Sequence, residues 1–157
     1  VTYVGQNLGA GKIDRIRSGM RAALRIALGT SVVIALLMIL LGRHILGLFI
    51  SGTPEAAEKT MQIAYFYLTV MSFSLPVLYV LHVTRAAIQG MGNTVLPMLS
   101  GVAEFVMRTL SIILLPALFG QIGIFFAETA AWIGADAVLI PSYLAVMRKL
   151  MSIRRPG

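Results

Sequence analysis

Val4-Gly5-Gln6-Asn7-Leu8-Gly9-Ala10-Gly11-Lys12-Ile13-Asp14-Arg15 is the stretch on which this chain turns. Gly5, Gly9 and Gly11 permit positive φ and close backbone approach, so the segment reads as a tight polar connection between two helices. From Lys12 the polarity is basic, with Arg15, Arg17, Arg21 and Arg25 following in quick succession. Ile26–Gly42 then carries no charge at all. A basic connection feeding directly into an uncharged run is the pattern of the cytoplasmic rim of a membrane protein. On this reading residues 1–5 are the end of a helix that begins upstream, and the chain is the later part of a longer protein. Residues 6–25 are then a cytoplasmic loop.

The rest of the chain repeats the alternation. A bilayer core of about 30 Å needs roughly 20 apolar residues, with a lower range near 17. Ile26–Gly42 meets that length once Arg25 and Arg43 extend toward the interfaces, giving a first span over 26–49. Ser51-Gly52-Thr53-Pro54 turns the chain, and Thr53-Pro54-Glu55 supplies a hydroxyl cap, a proline at N1 and an acid in the first turn. The second span, 54–84, has only His82 and three tyrosines as ionisable groups within Thr60–Thr84. Pro76 inside it is tolerated far better in a membrane helix than in a soluble one. Gly90 and Gly92 make the next turn, with Thr94 as the expected cap. The third span, 95–118, ends at Pro116 and Gly120-Gln121, and the fourth covers 122–150. The expected fold is all-α and multi-pass, with four transmembrane helices.

Composition agrees. The 157 residues are 58% hydrophobic and 12% charged, and mean hydropathy is +0.88. Soluble domains carry about 25% charged residues. The net charge of +7 does not point to nucleic acid, because the cations cluster beside apolar runs. One side of the four-span arrangement holds Lys12, Arg15, Arg17, Arg21, Arg25, Arg85, Arg148, Lys149, Arg154 and Arg155; the other holds Arg43 and Lys59. This bias places the first side, with the C-terminus, in the cytoplasm. Cysteine is absent, which excludes disulfides, thiol nucleophiles and cysteine-held zinc, and two histidines make no metal-ligand set.

Gly9-Ala10-Gly11-Lys12 superficially suggests a phosphate-binding loop, but Gln6 and Ile13 stand where that motif needs Gly and Ser or Thr. Gly90-Met91-Gly92 likewise lacks a third glycine at Val95. No Ser-His-Asp set or carboxylate pair at catalytic spacing emerges, so the chain is not read as an enzyme. Glu104 and Arg108 lie four apart within the third span and can pair along one helix face. Such charges either fix packing or line a wet transport path. Glu128, Trp132 and Asp136 recur every four residues on the fourth span. Two acids and an indole on one face suit an organic cation; alternatively Glu128 and Trp132 belong to the interface belt. The nine methionines chiefly fill space between helices.

Two motifs, read in order, are similar to those of the multidrug and toxic compound extrusion (MATE) family. One is Val4–Lys12 with Arg15, containing Gly5, Gln6, Asn7, Gly9 and Gly11. The other is Arg85-Ala86-Ala87-Ile88-Gln89-Gly90-Met91-Gly92-Asn93-Thr94. Glu104 with Arg108 and the Gly120–Trp132 entry to the last helix also resemble the family. The resemblance implies a twelve-helix, two-lobe transporter in the plasma membrane, of which these spans are helices 9 to 12 of the second lobe. It further implies export of drugs or other organic, often cationic, compounds in exchange for protons or sodium ions, with no other cofactor. Its partners are membrane lipids, small organic substrates and the N-terminal remainder of the same transporter. Some sodium-coupled members carry an acid in the helix matching Thr60–Thr84; this chain has none, so both coupling ions stay open. Members often have proline shortly before the last-helix tryptophan, where this chain has Thr129-Ala130-Ala131. A lipid-linked oligosaccharide flippase of the same superfamily would need a more cationic cavity than Arg108 supplies. A four-span structural or assembly subunit is the remaining alternative.

Overall fold

In the computed structural model, residues 1–153 are described, and Arg154, Arg155 and Pro156 lie outside the described residues. The elements are α1 (Thr2–Gly9), α2 (Ile13–Gly47), α3 (Pro54–Gly90), α4 (Val95–Phe119), a 3-10 segment (Gly120–Phe126) and α5 (Ala127–Ile153). Three helical stretches have the length and composition to cross a membrane: Ile13–Gly47, Pro54–Gly90 and Val95–Ser152. The third doubles back at Gly120, whose φ is +66°, so that α4 and α5 pack side by side. The fold is an all-α membrane bundle.

Residues 6–25 correct the sequence reading, because most of the expected loop is helix. α1 ends in a Schellman motif: the N–H of Gly11 donates to the Leu8 carbonyl (2.9 Å) and that of Lys12 to the Asn7 carbonyl (2.8 Å). Gly11 supplies the left-handed residue the motif requires, at φ +66°. Three residues suffice to reverse the chain, and α2 starts at Ile13. Its first turns are held by Ile13, Ile16 and Met20, which are buried with Val4, Ala87 and Met147, while the arginines between them face outward. That is an amphipathic stripe, and it makes helix of what charge alone marks as loop.

The second glycine motif repeats the device. Gly92 (φ +81°) donates to the Gln89 carbonyl at 3.0 Å, and Asn93 donates to that of Ile88 at 3.3 Å. Asn93 then opens α4, its Oδ1 accepting from the Leu96 N–H at 3.0 Å. The cap is thus Asn93 rather than the expected Thr94, whose side chain makes no cap bond. Thr53 is also uncapping as a side chain; its carbonyl accepts from the Ala57 N–H at 2.9 Å. Pro116 sits inside α4, which runs on to Phe119.

α2 pairs with α3 and α4 with α5 as antiparallel hairpins, joined where α3 and α5 lie side by side. At 1.5 Å per residue α2 and α3 are about 52 and 55 Å long, well beyond the apolar thickness of a bilayer. The seam of the two hairpins is Leu81, Ile88, Trp132, Ala135 and Leu139. Ala131 and Ala135, both fully buried, let the helices approach closely, as small residues do between membrane helices. Gly90 serves the same end for α1: a Cβ there would meet the Val1 carbonyl at 2.6 Å and the Val4 Cβ at 2.7 Å. Outward-facing Leu36, Leu40, Phe105, Val106, Leu110 and Ile113 remain exposed. On a membrane protein that apolar surface faces lipid.

Candidate functional site: an ionic chain across three helices

Glu104 and Arg108 do pair within α4, at 3.0 Å, but they are the middle of a longer chain. Arg85, five residues before the end of α3, donates to the second carboxylate oxygen of Glu104 at 3.0 Å and to the Ser100 hydroxyl at 3.1 Å. Arg108 reaches Glu128 at 2.9 Å. Arg85–Glu104–Arg108–Glu128 therefore alternates in sign, sums to zero charge, and stitches α3, α4 and α5 together. Ser100, Glu104 and Arg108 recur every fourth residue, so all three point from one face of α4. Glu128 stands in the first turn of α5, where a carboxylate is also favoured by the helix dipole.

These side chains are half-buried: Glu104 is 21% exposed, Arg85 25%, Glu128 33% and Arg108 38%. Each interior member serves two partners. The Nε atoms of Arg85 and Arg108 are buried and make no hydrogen bond. A low local dielectric strengthens such a network and makes any break in it costly.

The acid and indole stripe of α5 does not act as one surface. Glu128 turns to Arg108 on α4. Trp132, 8% exposed, is a core residue in one cluster with Leu81 and Ile88. Asp136, 7% exposed, lies within electrostatic reach of Arg85 and then His82 on α3. Its Oδ1 has no hydrogen-bond partner among the described residues. Asp136 also lines a groove of about 370 Å³ with Val77, Ile133, Ala137, Ile140 and Pro141. Arg85, expected only as a motif residue, is the α3 member of the ionic chain. Its position was readable in principle: antiparallel helices on either side of the Gly90–Thr94 turn bring residue 85 beside residues 100–104.

The glycine motifs play a different part. Gly5 faces the Gly90 carbonyl, and Gly11 and Gly92 end helices. Gln6 accepts the Ala10 N–H through its backbone carbonyl, while the Asn7 amide donates to the Tyr3 carbonyl at 2.8 Å. The Arg15 carbonyl accepts from the Tyr3 hydroxyl at 3.1 Å. No side chain lies within 4 Å of where a Cβ of Gly9 would be. These motifs position helices.

The sequence profile of the MatE family matches residues 1–114. This chain belongs to the MatE family. Searches of curated proteins and of solved structures gave no match. The MatE match takes in both glycine motifs, Arg85, Glu104 and Arg108, and stops within α4 before Glu128. The MatE family places the chain among membrane transporters.

Proposed function

We propose that the chain forms part of the second lobe of a secondary active antiporter. It exports organic, often cationic, compounds in exchange for protons or sodium ions. The carrying observation is the Arg85–Glu104–Arg108–Glu128 chain, which holds four charges among apolar helices and lets Glu104 and Arg108 each choose between two partners. Charges at such depth are retained where they face a path or a moving interface. Glu104 is the residue on which both guanidiniums converge, one on each carboxylate oxygen, which couples α3 to α4. Asp136 lies beside Arg85 as a second acid on the same route. The basic ends of the helices face the cytoplasm, as does the C-terminus, and the protein sits in the plasma membrane.

The flippase reading needs a strongly cationic cavity, and here both arginines of the chain are neutralised by carboxylates. The test is export by the full-length protein, per folded transporter, for wild type and Glu104→Gln. A loss of at least tenfold in the substituted protein is expected. Unchanged export would reduce the chain to a packing device.

A further inference from the structure

At the basic end of the bundle, α2 and α5 enclose a groove of about 250 Å³ lined by Arg17, Tyr143, Leu144, Met147, Arg148 and Met151. Three of these are hydrogen-bond donors converging from two helices. Arg17 and Tyr143 share the lining of this groove from the two helices. Among the described residues neither Arg17 nor Arg148 has a carboxylate within ion-pair distance. Charge at this end of the bundle is mostly positive: Lys12, Arg15, Arg21, Arg25 and Lys149 stand there with Asp14. Two guanidiniums with no ion pair among the described residues, and a phenol in the same groove, are a donor set for a phosphate group, which guanidinium planes bind in bidentate fashion.

The other walls say what else the ligand carries. Leu144, Met147 and Met151 are apolar, and Met147 is buried as part of the core. From Leu144 an exposed apolar stripe continues along α5 through Ile140 and Ile133, at 47%, 42% and 53% exposure. An inorganic phosphate would leave that stripe unused, whereas an acyl chain would follow it. Basic pockets between membrane helices at the headgroup level are a known mode of anionic lipid recognition.

We propose that this groove is a binding site for one anionic phospholipid. The phosphate is held by Arg17, Arg148 and the Tyr143 hydroxyl, and an acyl chain runs along Leu144, Ile140 and Ile133. The site does not depend on the transport reading, since neither arginine belongs to the ionic chain.

The experiment is native mass spectrometry of the full-length protein released from micelles holding equal amounts of phosphatidylglycerol and phosphatidylcholine. Retention of one phosphatidylglycerol in clear preference to phosphatidylcholine is expected. The paired substitution Arg17→Gln with Arg148→Gln should lower that retention about tenfold or more. Arg21→Gln with Lys149→Gln removes the same charge outside the groove and should change it less than twofold. Equal retention of the two lipids by the unsubstituted protein overturns the site, and that comparison needs no variant to fold. Equal loss in the two paired variants, or displacement of the lipid by millimolar inorganic phosphate, overturns it as well.

Discussion

Replacing Glu104 by Gln keeps the side chain's shape and removes the charge on which two guanidiniums converge. Arg108 retains Glu128 at 2.9 Å. Arg85 retains only the Ser100 hydroxyl at 3.1 Å, with Asp136 near but not hydrogen-bonded to it. Removing one partner of a fully buried pair costs about 3–5 kcal/mol, and of an exposed pair up to about 1 kcal/mol. With Glu104 and Arg85 one fifth to one quarter exposed, the cost falls between these limits, at about 2 kcal/mol. Glu128→Gln strips Arg108 of one of two carboxylates at a more exposed position, and about 1 kcal/mol is expected.

The measurement is reversible unfolding of the full-length protein in mixed micelles, titrated with denaturing detergent. Glu104→Gln should be the more damaging substitution. Adding Arg85→Gln to it should recover part of the loss, because the stranded guanidinium is then gone. A double-mutant cycle isolates that coupling, expected at about 1 kcal/mol. Equal effects of the Glu104 and Glu128 substitutions, together with a cycle coupling near zero, would refute the shared-carboxylate geometry.

Gly92→Ala places a Cβ at φ +81° and should cost about 1 kcal/mol, with Gly92→Asn costing less because asparagine tolerates that region; the same unfolding titration checks the ranking. Leu139→Ala empties a fully buried position in the seam between the two hairpins and should cost about 3 kcal/mol. A loss below about 1 kcal/mol would mean that α3 and α5 do not pack as described. Reporters fused after Gly157 and after Gly52 should read inside and outside respectively, and the reverse pattern would overturn the orientation.

The helices were legible where one physical demand dominated the sequence. Ile26–Gly42 and Thr60–Thr84 are uncharged for so long that lipid is their only comfortable surroundings, and helices form in both. Residues 13–25 were illegible by the same measure, since their arginines mark a polar connection. The decisive signal there was the spacing of Ile13, Ile16 and Met20, which are buried together although each is flanked by charge. Periodicity outranks polarity when a basic segment rests on a core, because long cationic side chains reach solvent from a helix face.

The ionic chain shows the complementary limit. Glu104 and Arg108 announce each other by an i, i+4 spacing that lies within one helix, and they pair as that spacing requires. Arg85 and Glu128 join them through tertiary geometry. The Gly92 turn sets Arg85 opposite Ser100 and Glu104, and the reversal at Gly120 sets Glu128 opposite Arg108. Spacing on α5 suggested that Glu128, Trp132 and Asp136 share a surface. Yet α5 is wedged between two neighbours: α4 takes Glu128, Asp136 lies within electrostatic reach of α3, and Trp132 closes the seam. A single-helix stripe becomes a ligand-facing surface only if one side of the helix is left open. In this bundle the acids are divided instead: Glu128 pairs with Arg108, and Asp136 is buried at 7% exposure without an ion pair among the described residues. A shift of α3 relative to α4 would act on the Arg85–Glu104 pair, whereas α3 is held to α5 by the Leu81, Ile88, Trp132 and Leu139 seam and by the Ser74–Thr129 hydrogen bond at 2.6 Å.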